Sequence, residues 1–137
     1  MKLPNKPSSL IKLALADLKK VERSKKYIVD MGAWHKANGV CSVDLAGSVM
    51  AQTLNVPINM TVMPEAFDDD TENKLQALND FRIGFIEGGL RRMNTPSSIK
   101  AIPIVPNCIA IPPYKKGKAA FHKAINDLVK LLESVGA

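Results

Sequence analysis

Trp34, the only tryptophan of the chain, stands beside His35, and Cys41 and Asp44 follow closely. These side-chain types carry two kinds of chemistry. A thiol within reach of an imidazole can act as a nucleophile, and a helix N-terminus lowers its pKa further. Cys41, read as lying at the start of a helix, has that route to reactivity with His35 as base. The chain lacks the Gly-rich or Gln-bearing oxyanion element that usually accompanies such a thiol. Its other histidine, His122, falls inside a helical pattern. A buried, inert cysteine is the expected state of Cys41, and a small cysteine hydrolase or transferase using Cys41 and His35 is the alternative. The second chemistry is stacking. Trp34 and His35 lie in a loop bounded by Gly32 and Gly39, and an aromatic beside an imidazole can stack on a base. Trp34 plugging the end of the core is the competing reading.

A second segment points to anions. Tyr114, Lys115, Lys116, Gly117 and Lys118 directly precede a helical pattern. Free backbone N–H groups, the helix dipole and the lysines together favour a bound anion. The P-loop pattern GxxxxGK[ST] is absent. Arg91 and Arg92, with Ser97 and Ser98, join such a site if the fold brings them close. No metal site is expected. His35, His122, Cys41 and Cys108 contain no CxxC or HxxxH pair. Asp68, Asp69 and Asp70 lack the alternation and the glycine of an EF-hand, so they read as acid at a helix start. No cofactor is expected either.

These residues need elements to hold them. Ile11, Ala14, Leu15, Leu18 and Val21 share one face at helical spacing, with Ser8 or Ser9 as the cap. This amphipathic helix ends near Lys25. Tyr27 to Met31 leans towards strand, and Gly32 breaks it. From about 42 to 54 the chain is apolar on every side of a helix, with Asp44 its only charge, as a buried helix is. Asp70 or Thr71 caps a third helix whose inner face carries Leu75, Leu78, Phe81 and Phe85, and Gly88–Gly89 weakens or ends it. Pro96, Pro103, Pro106, Pro112 and Pro113 exclude a helix from about 95 to 113. That stretch reads as an ordered, packed, extended segment. Phe121, Ile125, Leu128 and Leu132 then give the cleanest amphipathic pattern, in a helix starting near Lys118.

The 137 residues, 46% of them hydrophobic, suit one domain spanning 1–137 with a real core. Aromatic content is only 5%, so aliphatic residues and Met fill that core. No apolar run reaches ~18 residues, which excludes a transmembrane helix. The charged residues Lys12, Asp17, Lys19 and Lys20 argue against a signal peptide. Two distant cysteines fit a cytosolic protein with reduced thiols. The net charge is +6, with lysines concentrated in the first and last helices and acid in the middle. If the terminal helices are neighbours, they form a basic face that attracts phosphates, nucleotides or an acidic protein. The expected fold is mainly α, with about four helices around a buried second helix and a proline-rich extended segment. There is room for a small strand pair around 27–31, 58–62 or 99–111.

The stretch from Tyr27 to Met31, then Trp34-His35, Cys41 and Leu45-Ala46-Gly47-Ser48-Val49-Met50-Ala51, resembles a group of small phage and prophage proteins. In these a Trp-His pair precedes a Cys and a Leu-Ala-Gly-x-Val-Met-Ala helix. The resemblance covers roughly residues 10–55. It implies a virus-encoded accessory protein in the bacterial cytoplasm, of a kind that inhibits a host enzyme or binds a defence signal such as a cyclic nucleotide. The expected function is a binding protein in host takeover or counter-defence. It captures a nucleotide-like anion or an acidic host protein, using Trp34 and His35 for stacking and Arg91, Arg92, Tyr114, Lys115, Lys116 and Lys118 around the charge. A homo-oligomer remains open.

Overall fold

The computed structural model describes residues 2–94 and 110–137. Among these, five helices accompany a three-stranded mixed sheet. Helices dominate, but the sheet makes this an α/β arrangement, which corrects the mainly α expectation. The source of the difference is local. The stretch read as a polar loop leading into a helix is a hairpin, β2 (His35–Asn38) and β3 (Val40–Val43). Asn38–Gly39 is a strong hairpin signal, and Gly39 turns the chain with a φ of 78°. His35 and Ala37 alternate with exposed neighbours and pair with Val43 and Cys41. That is period two, not the period of a helix.

β1 (Tyr27–Val29) runs parallel to β3, and β2 runs antiparallel to it, in the order β1–β3–β2. The residues of one face, Tyr27, Val29, Cys41, Val43 and His35, meet the helices. The strand pair considered at 58–62 reduces to a single bridge between His35 and Val62. The alternative at 99–111, and most of the proline-rich segment with Cys108, lie outside the described residues.

α1 (Pro7–Glu22) opens with a proline whose preset φ suits the first helical position. No serine caps it; Lys6 occupies the cap position without a side-chain bond. α2 (Leu45–Gln52) is buried from Leu45 to Ala51, and Asp44 caps it by accepting from the Gly47 amide at 2.6 Å. It starts later than the apolar pattern suggested because Cys41 and Val43 belong to the strand. α3 (Asp69–Arg82) is capped by Asp68, whose carboxylate accepts from the Thr71 amide. The break after α3 falls at 83–85, and Gly88–Gly89 lie inside α4 (Ile86–Arg92). A Cβ on Gly89 would stand 2.5 Å from the Phe81 ring, so the glycine serves packing there.

α5 (Lys118–Ser134) buries Phe121, Ile125, Leu128, Val129 and Leu132. It packs antiparallel on α1, since Lys12 pairs with Glu133 while Glu22 meets His122. α2 packs against α1, α3 and the hairpin, at the centre of the core. No helix among the described residues is long and apolar enough to cross a membrane.

Candidate functional site

Cys41 and His35 do meet. The hairpin register sets them on the same inner face, with Sγ 3.5 Å from Nε2. The Met60 carbonyl lies 2.8 Å from Nδ1. A carbonyl only accepts, so Nδ1 carries the proton and Nε2 is left to accept from the thiol. His35 is 1% exposed and Cys41 fully buried. Burial pushes the thiol pKa up and the imidazole pKa down. Both partners are therefore held neutral, the reverse of a thiolate–imidazolium pair. Cys41 sits on a strand rather than at a helix start, so the dipole does not offset the burial. Asp44 does not orient the imidazole; its carboxyl caps α2.

Trp34 is half-buried against the core, and its carbonyl accepts from the Asp44 amide at 3.3 Å. The neighbouring His35 ring is enclosed and has no open face for a base. Arg91 and Arg92 are each paired within their own helical layer, Arg91 with Glu87 and Arg92 with Asp80. Neither pair involves the segment from Tyr114 to Lys118. Among the described residues no group of three or more His, Cys, Asp or Glu is placed to hold a metal ion.

That segment is organised by a residue the sequence reading did not single out. Glu22, the last residue of α1, has a side chain only 7% exposed. One of its oxygens accepts from the Tyr114 hydroxyl and lies 2.8 Å from His122 Nε2. Burial and the adjacent Glu22 carboxylate both push the Tyr114 pKa far above its usual value, so the phenol keeps its proton. Tyr114 also packs edge-on against Phe121, with ring centroids 5.4 Å apart. The short 3₁₀ turn Tyr114–Lys116 is thereby fixed between α1 and α5.

This tie brings two basic segments to one end of the molecule. Arg23, Lys25 and Lys26 follow Glu22, while Lys115, Lys116 and Lys118 flank the tethered tyrosine. All six are exposed, and among the described residues none has a carboxylate within ion-pair range. α5 begins here after Gly117 with no side-chain cap, so its dipole adds positive potential.

Beside that end a cleft of about 720 Å³ opens between β1, the end of α3 and the segment leading to α5. Ile28, Ile83, Ile111 and Phe121 contribute apolar walls; Asp30, Arg82, Tyr114 and Lys115 contribute polar ones. Arg82 donates through Nη2 to the Asn79 side chain at 3.1 Å. Its Nε is buried and has no hydrogen-bond partner among the described residues. Arg82 and Asp30 were not legible as site residues: one ends a helix and the other follows a strand, and only the fold sets both on one cleft. No family model, curated protein or solved structure matches this chain.

Proposed function

We propose that this protein is a binding protein that captures a nucleotide-like anion, with an acidic host protein as the other partner its charge suits. The observation that carries the reading is the meeting of the two basic segments. Glu22 ties the end of α1 to the start of α5, and the six exposed cations of the segments flanking that tie have no ion-pair partner among the described residues. Like charges on adjoining segments repel one another, and a bound anion relieves that repulsion. In the setting implied by the phage-protein resemblance, the capture serves host takeover or counter-defence in the bacterial cytoplasm.

Binding of a fluorescent nucleoside triphosphate, followed by anisotropy, tests this. Affinity is expected to fall about tenfold or more between roughly 50 and 300 mM salt, because exposed charges are screened over that range. Replacing Lys115, Lys116 and Lys118 together by Glu is expected to abolish it. These side chains are exposed, so the fold survives the change. Binding that ignores both salt and the triple substitution overturns the reading.

A further inference from the structure

The cleft beside the basic end gives the ligand a seat, and its lining narrows the ligand's chemistry. This step rests on the anion-binding reading above. Arg82 lines the cleft, and among the described residues its guanidinium makes one hydrogen bond, through Nη2 to Asn79, which leaves donor capacity for a ligand acceptor. The nearby Asp44 carboxyl attracts Arg82, and burial raises its pKa to about 7, so near neutral pH it offsets only part of the guanidinium charge. Lys115 adds a second cation and Asp30 one carboxylate, leaving the lining with a net single positive charge.

Asp30 has a further consequence. It is exposed and accepts from the Gly32 amide at 2.9 Å through one oxygen, so a ligand donor can replace water at the other. A ligand that is only an acid would meet repulsion there. Ile28, Ile83 and Ile111 give the cleft an apolar side that suits a weakly polar body, and the volume lies within the range of small-molecule sites.

We propose that this cleft binds a mononucleotide. Its ring lies against Ile28, Ile83 and Ile111, its phosphate meets Arg82 and Lys115, and its ribose hydroxyls donate to Asp30.

Calorimetric titration with adenosine 5′-monophosphate, adenosine and inorganic phosphate tests the assignment. The monophosphate is expected to bind saturably, and each fragment about tenfold or more weaker, since each fills only part of the site. Arg82→Met and Ile83→Glu should each weaken the monophosphate about tenfold or more, while Lys116→Glu changes it less than about threefold. Ile83 is 42% exposed, so Ile83→Glu tests the cleft without disturbing the core should Arg82→Met fail to fold. Affinity unchanged by Arg82→Met and Ile83→Glu but lost in Lys116→Glu overturns the cleft and leaves the anion reading standing. No binding of the monophosphate to the unaltered protein also overturns the cleft; the salt series with the triple lysine variant then decides the broader reading separately.

Discussion

Cys41 shows how far a residue's chemistry depends on what encloses it. Its type and its distance from His35 in sequence suit a nucleophile, and the two do touch. Burial then removes the charge separation that makes a thiol reactive. Cys41 is accordingly expected to resist alkylation in the folded protein. Peptide mapping by mass separates it from Cys108, and labelling should appear only on unfolding; rapid labelling of Cys41 under native conditions would restore the cysteine-enzyme alternative. Asp44 gives a second prediction at this scale. Burial raises its pKa from 3.8 to about 7. A carboxyl raised in the fold adds stability below its unfolded pKa, and that contribution is lost as pH rises through the folded value. Asp44→Asn keeps a capping oxygen but does not titrate. The unaltered protein should therefore lose a few kcal/mol relative to Asp44→Asn as pH rises from 3.8 to about 7. His35, whose pKa burial lowers, acts in the opposite sense, adding stability above its usual 6.5 that is lost on acidification. Both proteins contain it, so it cancels in the comparison. Denaturant titrations across the range provide the check. The lone charge of Asp44 in an apolar run was visible in the sequence; that the run was capped, and not pierced, by it needed the hairpin.

At the scale of elements, close approach and tethering matter most. A Cβ on Gly47 would lie 1.6 Å from the Trp34 carbonyl oxygen, a backbone atom that cannot swing aside. Gly47→Ala must separate α2 from the loop before β2, at a cost on the order of 3 kcal/mol, measurable as a lowered denaturation midpoint. Small residues in this helix were legible as a sign of close packing. What they pack against was not, because the partner is a carbonyl and carries no side-chain signature. Lys74 is a parallel case. It is buried in α3, and its ammonium donates to the Leu3 carbonyl, the Asn5 side chain and Asp70. Three donors meet three acceptors, so the charge is accommodated. Lys74→Met keeps the stem but not the bonds. It should cost about 1–3 kcal/mol and release the segment before α1, seen as faster amide exchange there than in α5. In sequence Lys74 is one more helical lysine among many.

At the scale of the whole molecule, the two basic helices were each visible as lysine-rich amphipathic patterns, and their positive total followed from composition. Whether the charges cooperate depends on distance, which only packing sets. Glu22 supplies the decisive contact, since its carboxylate is shared by Tyr114 and His122 from the far end of the chain. The salt dependence expected of ligand capture belongs to this scale, because it reads the summed field rather than any one lysine. Helical periodicity and the absence of a long apolar run are local properties, so the sequence by itself placed α1 and α5 to within about a turn, whereas α3 ends at Arg82 rather than continuing to Gly88–Gly89. It also determined the basic balance. Tertiary structure decided the rest: that 35–43 forms a sheet whose parallel neighbour is β1, that His35 is buried, that Arg91 and Arg92 are paired within α3 and α4, and that Arg82 faces a cleft. The β1–β3 pairing, the burial of His35, the Arg92–Asp80 pair and the cleft around Arg82 turn on contacts between residues far apart in the chain, and a side chain's pKa, exposure and partners come from its neighbours in space.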